Sequence, residues 1–316
     1  MRVVVTGAAG FVGSRLSHAL LDRGDTVLGL DNLNDYYPVS HKERNLSLLA
    51  ERDGFRFVRA DLRDAPLVLA LFQEFHPEAV AHLAAMAAVR YSVQHPLIYG
   101  EVNVQGSMNL LDAARQTGQP RCVLASTGSV YGADTPVPFQ ETAPADRPLA
   151  PYPASKRSME LMAHSFHHLW RLPTTVVRFF NVYGPFGRPD MMPWQWTEMI
   201  QRGEPLTLFN GGRMKRDWTY VDDIVAGFVS ALDAGLDWEI VNLGCGNPVE
   251  NLRFVQILEE LLGRRAEIVD TPTPPSEPLI TFADIAKARR LLGFEPKVNV
   301  EEGLARFVEW HQASRV

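Results

Sequence analysis

A tyrosine and a lysine stand four residues apart in the segment Tyr152-Pro153-Ala154-Ser155-Lys156. If that segment is helical, the two side chains share one face. A free phenol titrates near ~10, and a neighbouring ammonium group favours its anionic form, so the pair could supply a base at neutral pH. The same spacing also arises by chance on ordinary helices.

Hydroxyl side chains precede this pair, directly after an apolar run. Ser126, Thr127 and Ser129 flank Gly128, and one of these hydroxyls could hydrogen-bond the same substrate oxygen as the tyrosine. The alternative is a simple turn after a strand. Support for a chemical role has to come from the rest of the chain.

Three glycines follow the first apolar run of the chain. Gly7, Gly10 and Gly13 have the spacing Gly-x-x-Gly-x-x-Gly, one residue longer in the first gap than the usual dinucleotide fingerprint. Glycine allows a tight turn and a close approach to a pyrophosphate, while the helix that follows presents free N–H groups to anionic oxygens. Glycines also mark ordinary turns, but a position between a strand and a helix favours dinucleotide binding.

Two carboxylates follow the next two candidate strands. Asp31 comes 18 residues after Gly13, where a carboxylate can accept hydrogen bonds from the adenosine ribose and repel a 2′-phosphate. This favours NAD over NADP, although Asp31 could instead be a turn residue at a strand end. Asp61 is a weaker candidate for the adenine edge.

The elements that must position these residues alternate between β-branched runs and amphipathic segments. This alternation predicts an α/β fold, with a Rossmann-type doubly wound parallel sheet. We expect residues 1–180 to form this domain and residues 181–316 to form mainly a smaller α/β substrate domain, with the chain returning later to the main sheet. Candidate strands cover 2–5, 26–30, 56–59, 79–82, 122–125 and 174–179, and candidate helices cover 11–23, 66–75, 98–117 and 152–170.

Bulk properties narrow the classes of partner. The 316 residues carry a net charge of −6 and include no basic run, which argues against nucleic acid as a partner. The apolar run before Gly7 is too short for a signal peptide or a membrane span. The cysteines, Cys122 and Cys245, have no pairing pattern, and Cys122 is expected to be a buried thiol. We therefore expect a cytoplasmic protein.

Long motifs resemble the extended short-chain dehydrogenase/reductase family and, within it, the UDP-glucuronate 4-epimerases. The similarity covers nearly the whole chain, and the last two motifs are the most specific. The motifs are TGAAGFVG (6–13), DNLNDYY (31–37), HLAAMAAVRYS (82–92), STGSVYG (126–132), YPASK (152–156), RFFNVYGPFGRPDMM (178–192) and FNGGRMKRDWTYVDDI (209–224).

The resemblance implies roles for individual residues. Tyr152 would be the base on the sugar 4-hydroxyl, Lys156 would lower its pKa and hold the nicotinamide ribose, and Thr127 would hydrogen-bond the reacting oxygen. The other implied substrate-binding residues are Ser126 and Ser129 beside Thr127, Asn181 and Arg216 at the substrate or its diphosphate, Phe209 on uracil, Arg188 near the sugar carboxylate, and Arg90. The implied NAD-binding residues are Gly7, Gly10, Phe11, Val12, Gly13, Asp31, Asn32, Asp61, Leu62, Leu83, Ala84, Ala85, Asn103, Tyr152, Lys156 and Phe179.

The implied reaction inverts C4 of a UDP-hexuronate through a transient 4-keto sugar, with a tightly bound NAD regenerated in each cycle. Related dehydratases and uronate decarboxylases carry acids at the positions of Gly128 and Ser129, so these reactions are less favoured alternatives. Asn181 stands where uronate enzymes usually have threonine, and it is typical of UDP-galactose epimerases. A UDP-glucose/UDP-galactose 4-epimerase is therefore the main alternative. Other departures from the uronate pattern are Met86, Ala88 and Ser276-Glu277.

Several further features have ordinary explanations. His164, His167 and His168 have metal-binding spacing, but a surface or subunit-contact face is favoured, and no metal is expected. Asp222-Asp223 is attributed to helix capping. Tyr36-Tyr37 and Trp194/Trp196 could line the substrate loop or simply pack. By resemblance, the helices over 98–117 and 152–170 would pair in a homodimer. A non-catalytic NAD-binding sensor is disfavoured by the intact Thr127, Tyr152 and Lys156.

Overall fold

The computed structural model describes residues 1–314 and contains one large sheet with three smaller ones. In chain order, the strands are β1 (Arg2–Thr6), β2 (Thr26–Asp31), β3 (Phe55–Arg59), β4 (Ala79–His82), β5 (Arg121–Thr127), β6 (Thr174–Phe179), β7 (Val182–Tyr183), β8 (Leu206–Phe209), β9 (Lys215–Arg216), β10 (Thr219–Tyr220), β11 (Trp238–Leu243), β12 (Val249–Glu250) and β13 (Ile268–Thr271).

Helices connect most of these strands, with short 3₁₀ turns at Gly128–Tyr131 and Asn210–Gly212. In chain order, the α-helices are α1 (Phe11–Asp22), α2 (Val39–Ala50), α3 (Ala65–Phe75), α4 (Val89–Gln94), α5 (Pro96–Tyr99), α6 (Gly106–Gln116), α7 (Pro151–Trp170), α8 (Met192–Arg202), α9 (Val221–Ala234), α10 (Asn251–Leu262), α11 (Ala286–Leu292) and α12 (Val300–Ala313). None of the helices within residues 1–314 is long and apolar enough to cross a membrane.

The large sheet has seven strands in the order β11-β6-β5-β4-β1-β2-β3, and every neighbouring pair is parallel. This confirms the predicted doubly wound sheet. The register places Thr6 beside Leu30 and His82, so the carboxyl ends of the central strands meet at one edge. Ligands of such sheets bind at this edge.

Alternating residues of the buried strands supply two hydrophobic cores, one on each face of the sheet. Val3 and Val5 join the core that contains α1 and α9 and continues into the C-terminal helices. Val4 joins the other core, with α3, α6 and α7. Cys122 lies in this second core with 1% exposure, and its burial raises the pKa of the thiol to about 12. The predicted buried thiol is thereby confirmed.

The predicted strands match the observed ones to within two residues at each end. The helix predicted over 98–117 is different, because it is interrupted by a π-helical turn at Gly100–Gln105. A π turn takes one extra residue into the helix and shifts the side chains that follow. The turn carries the buried Asn103, whose amide bonds the backbone of Met86 and the hydroxyl of Ser155.

Candidate active site

A cavity lies at the carboxyl edge of the large sheet, between the ends of its strands and the chain that follows residue 180. It brings together most of the residues predicted to bind cofactor or substrate. Those that line it are Gly7, Gly10, Phe11, Val12, Gly13, Asp31, Asn32, Asp61, Leu62, Leu83, Ala84, Ala85, Ser126, Thr127, Ser129, Tyr152, Lys156, Phe179, Asn181 and Arg188.

The glycine turn between β1 and α1 is too crowded for side chains. Gly7 has φ of +72°, and a Cβ there would lie 2.9 Å from the backbone nitrogen of Ala84. A Cβ on Gly13 would lie 2.0 Å from the Gly7 carbonyl oxygen, so α1 packs directly against the turn. No side chain caps the first turn of α1. Its N–H groups are therefore available to a phosphate.

Asp31 ends β2 beside this turn and is 8% exposed. Its carboxylate accepts hydrogen bonds from the backbone N–H groups of Ala9 at 3.2 Å and Leu33 at 2.9 Å. Burial raises the pKa of Asp31, while the charge of Lys42 opposes that rise. Asp61 lies nearby and accepts a hydrogen bond from Asn32 at 3.0 Å.

Tyr152 and Lys156 lie on the first turns of α7, and Thr127 ends β5 opposite them. Burial raises the pKa of the Tyr152 phenol, whereas a hydrogen bond from Thr127 and the charge of Arg188 lower it. Burial also lowers the pKa of Lys156 to about 8, and the charge of Glu160 acts against this. The hydroxyl, phenol and ammonium groups thus surround one corner of the cavity.

Two contacts differ from the roles that the resemblance implied. The Lys156 ammonium donates to the Ala125 carbonyl at 2.8 Å, and the groups that lower the pKa of Tyr152 are Thr127 and Arg188 instead of Lys156. The Ser126 hydroxyl donates to Glu160 at 2.6 Å, toward α7. Ser126 and Arg178 are paired neighbours on β5 and β6, so their side chains share the face of the sheet that α7 covers.

Arg188 lines the cavity from the loop before α8. Its Nε and NH2 groups donate to both carboxylate oxygens of Asp190, at 2.9 and 2.7 Å, and NH2 also donates to the Ala87 carbonyl at 3.2 Å. Asp190 additionally accepts a hydrogen bond from Tyr36 at 3.1 Å. Within residues 1–314, the NH1 group of Arg188 makes no hydrogen bond and can serve a ligand.

Four predicted site residues do not line the cavity. Asn103 is buried and satisfied by Met86 and Ser155, which gives it a structural role because it braces the segment that lines the cavity. Arg90, Phe209 and Arg216 form a separate cluster around Glu277 on the proline-rich loop. Arg90 lies over the Phe209 ring at 4.9 Å, and both arginines pair with Glu277.

Sequence reasoning missed Lys42 as a cavity residue. This lysine is 4% exposed on α2 and donates to the Asn34 carbonyl at 2.8 Å. The amphipathic run after DNLNDYY could have revealed α2, but not the inward direction of one lysine. The cavity also includes Tyr36 and Tyr37, whereas Trp196 is buried in the core and Trp194 packs on Trp310.

The remaining sequence features have roles outside the cavity. His164 and His168 are exposed on α7, and His167 contacts the Leu172 carbonyl at 3.3 Å. In residues 1–314, no group of three His, Cys, Asp or Glu side chains could hold a metal ion. The capping hypothesis for Asp222-Asp223 was wrong, because both lie in the first turn of α9 without capping it. Asp223 instead accepts hydrogen bonds from the backbones of Lys297 and Val298, and Asp222 pairs with Arg15.

Comparison with known proteins matches residues 3–244 to the NAD dependent epimerase/dehydratase family. A UDP-glucuronate 4-epimerase from Thermodesulfobacterium geofontis (strain OPF15) is 42% identical, over 97% of this chain and 95% of that protein. A crystal structure of UDP-glucuronic acid 4-epimerase from Bacillus cereus, in complex with UDP-glucuronic acid and NAD, has a TM-score of 0.93 at 33% identity, over 99% of this chain and 100% of that one. A crystal structure of UDP-glucose 4-epimerase from Thermotoga maritima, with UDP-glucose, has a TM-score of 0.90 at 32% identity, with both chains covered completely.

The family match covers more than half of the chain, and the similarity to the relatives runs through nearly all of it. The matched residues include the glycine turn, Thr127 at the end of β5 and the Tyr152–Lys156 pair on α7. This chain belongs to the NAD dependent epimerase/dehydratase family.

Proposed function

We propose that the chain is an NAD-dependent UDP-glucuronate 4-epimerase that forms UDP-galacturonate. The observation that carries this proposal is the convergence of Thr127, Tyr152 and Lys156 in one cavity with the glycine turn and Asp31. The relative from T. geofontis and the solved structure from B. cereus both carry the name of this activity.

The residues present fit NAD. The absence of side chains at Gly7 and Gly13 lets the turn pack closely against Ala84 and the start of α1, and the uncapped start of α1 supplies N–H donors to the pyrophosphate. Asp31 would hold the adenosine ribose, and Lys156 the nicotinamide ribose. When bound, NAD supplies the acceptor for the C4 hydride and gives the hydride back to the other face of the sugar.

The chain's own side chains handle the proton on O4. As the phenolate, Tyr152 accepts the proton from the 4-hydroxyl and returns it at the end of the cycle. Thr127 hydrogen-bonds this pair of oxygens and keeps the phenol aimed at the substrate. The positive nicotinamide ring would favour the phenolate electrostatically, and the Lys156 ammonium group, which is held on the Ala125 carbonyl, would bind the nicotinamide ribose.

The sugar carboxylate requires separate control, because a 4-keto uronate is a β-keto acid that can lose CO₂. Loss of CO₂ is slow when the carboxylate bond is held out of alignment with the carbonyl π system. Ser129 and the NH1 group of Arg188 are the donors we assign to this task. A Cβ at Gly128 would lie 2.8 Å from the Phe180 ring, so an acid of the kind that the dehydratases carry there would require this ring to move.

A UDP-glucose 4-epimerase is the second candidate. Asn181 favours it, since its side-chain oxygen accepts a hydrogen bond from Thr281 at 3.2 Å and its amide nitrogen is left for a neutral sugar hydroxyl. The ion pair with Asp190 also neutralises part of the positive charge of Arg188, which leaves less of that charge to attract a sugar carboxylate. The unpaired NH1 group of Arg188 argues for the uronate.

Product analysis by NMR distinguishes the two. The purified protein is incubated separately with UDP-glucuronate and UDP-glucose. We expect UDP-galacturonate from the first, without CO₂, and little product from the second. Turnover of UDP-glucose alone would assign the protein to neutral-sugar epimerases, and CO₂ with a UDP-pentose would make it a decarboxylase.

Three further expectations belong to this proposal. We infer a homodimer formed through the helices over 98–117 and 152–170; the second, α7, exposes Leu161 and Leu169, and the exposed Leu97 lies just before the first. We place the reaction in the cytoplasm, where nucleotide sugars are available and thiols such as Cys122 stay reduced. We assign NAD mainly to residues 1–180 and the UDP-sugar mainly to residues 181–316.

A further inference from the structure

Glu160 is a buried carboxylate one helical turn beyond Lys156 on α7, and the reaction described above does not use it. Its side chain is 0% exposed. Oε1 accepts hydrogen bonds from Ser126 at 2.6 Å and from the Nε of Arg178 at 2.9 Å. Oε2 accepts from Arg178 at 2.7 Å and from Arg157 at 2.8 Å. A charge buried this deeply is stable only when it is paired and hydrogen-bonded.

These bonds connect the two elements that carry the reacting groups. Ser126 precedes Thr127 at the end of β5, while Glu160 follows Tyr152 and Lys156 on α7. A second bond, from Lys156 to the Ala125 carbonyl at 2.8 Å, joins the same elements one residue earlier on the strand. The two bonds together hold the Thr127 hydroxyl opposite the Tyr152 phenol.

Glu160 also opposes the effect of burial on the pKa of Lys156. On α7, Tyr152 and Glu160 face Lys156, one turn before it and one turn after it. From β4, His82 faces the same ammonium group, and burial followed by the charge of Lys156 lowers the pKa of His82 to about 3, so it brings no charge. The charge of Glu160 raises the pKa of Lys156 against the effect of burial.

The groups that face Glu160 itself are mostly cationic. Arg157 comes from α7 and Arg178 from β6, and the guanidinium of Arg178 lies 4.7 Å above the ring of Tyr131. Arg178 fills two of the roughly four acceptor positions of the carboxylate, which leaves positions for Arg157 and Ser126. The additional bond to Ser126 directs Glu160 toward the reacting residues.

We propose that Glu160 is a positioning residue for the reaction, which fixes the end of β5 against α7 through Ser126 and so keeps Thr127 opposite Tyr152. This inference rests on the proposed epimerase function. Glu160 does not touch the substrate. Its loss should therefore reduce kcat and move the alkaline limb of the pH profile while leaving KM nearly constant.

The test measures UDP-glucuronate epimerisation by the NAD-loaded protein from about pH 6 to about pH 10, a range that spans the pKa of Lys156 of about 8. For Glu160→Gln we expect kcat to fall about tenfold, KM to stay within about twofold, and the alkaline limb to move about one pH unit lower. Glu160→Asp keeps the charge but shortens the side chain, so kcat should fall while the limb stays at its original pH.

A second variant should move the alkaline limb of the pH profile in the opposite direction. Arg157 is 23% exposed, so Arg157→Met should be tolerated by the fold. Because it removes a cation beside Glu160, we expect the alkaline limb to move to higher pH. Glu259→Gln is the matched control, because Glu259 is a mostly buried carboxylate on the remote α10 that pairs with Arg265. The pH profile of this variant should match that of the unsubstituted protein.

The outcomes are distinct. A limb that stays in place in both Glu160→Gln and Arg157→Met, or an effect on KM alone, would overturn the positioning role. If Glu160→Gln does not fold, the direction of the shift in Arg157→Met decides. An unsubstituted protein that converts no UDP-sugar would overturn the proposed function itself, and this role with it.

Discussion

The surroundings of Tyr152 shift the pKa of its phenol in opposite directions. Burial raises its pKa, and the groups that lower it are the hydroxyl of Thr127 and the more distant guanidinium of Arg188. Lys156 points its ammonium group at the Ala125 carbonyl. The positive nicotinamide ring of bound NAD would add to the groups that favour the phenolate.

The pH dependence of the reaction follows from Lys156. Because burial lowers its pKa to about 8, the ammonium form is present below that pH and is lost above it. We expect kcat to decline as the pH rises through about 8, measured in steady-state assays on UDP-glucuronate. Lys156→Arg should abolish this decline, since a guanidinium stays protonated throughout the range. A rate that stays constant to about pH 10 would contradict this assignment.

Arg188 is the residue on which the choice of sugar depends in this account. Of the donor groups of Arg188, NH1 makes no hydrogen bond to any of residues 1–314. A charge-assisted hydrogen bond to a carboxylate is about twice as strong as a neutral one. In Arg188→Met, kcat/KM for UDP-glucuronate should therefore fall about 10- to 100-fold more than any activity on UDP-glucose.

The control for this substitution is Asp190→Asn, which disturbs the same ion pair but keeps the guanidinium. Its preference between the two sugars should remain that of the original protein. Equal losses on both sugars in Arg188→Met would mean that Arg188 only supports the loop.

At the scale of elements, the contact between α1 and the glycine turn is the tightest in the cofactor site. A methyl group on Gly13 would lie 2.0 Å from the Gly7 carbonyl oxygen, so α1 would have to move away. We expect Gly13→Ala to lose most of its bound NAD and to be destabilised by about 1–3 kcal/mol, the usual result of overpacking. NAD content after purification and denaturant unfolding measure both.

Gly100→Ala is the matched control for this substitution. A Cβ at Gly100 would meet no atom of the described residues within 4 Å, so stability and NAD content should be unchanged or slightly increased. Normal NAD binding by Gly13→Ala would remove the glycine turn from the cofactor site.

The sequence predicted the elements whose signal is local. The β-branched runs predicted six strands of the sheet, and the glycines predicted the turn after β1, because both depend on residues adjacent in the chain. The π-helical turn at Gly100–Gln105 was missed, since its pattern of side chains resembles that of an α-helix over so few residues. Long-range placements were also missed, such as Lys42 and Thr281 in the cavity.

For the polar residues, too, the sequence predicted the roles that depend on local structure and missed those that depend on distant partners. Thr127, Tyr152 and Asp31 reach the cavity because strand ends and a helix start place them there. Ser126 is one residue from Thr127, but the alternation of a strand turns its hydroxyl toward Glu160. The local sequence around Ser126 does not predict which residue its hydroxyl contacts on that side of the sheet.

For the whole molecule, the homodimer that we infer through the helices over 98–117 and 152–170 would cover apolar side chains on α7 and the neighbouring Leu97. Leu97 is 81% exposed, Leu169 63% and Leu161 54%. We expect a dimer at micromolar concentration by light scattering, and at least about a tenfold weaker association for Leu161→Lys. A monomeric unsubstituted protein would contradict the inferred homodimer and leave the apolar helix faces without an explanation.

The most direct test of the central claim is the fate of the hydrogen at C4. UDP-glucuronate labelled with deuterium at C4 is incubated with the protein, and the product is examined by NMR, with Tyr152→Phe as the control that should lose most activity. If C4 is oxidised and reduced again within one site, UDP-galacturonate keeps the deuterium at C4, and unlabelled substrate in D₂O gains none there or at C5. Loss of the label to solvent, or incorporation at C5, would contradict epimerisation by transient oxidation.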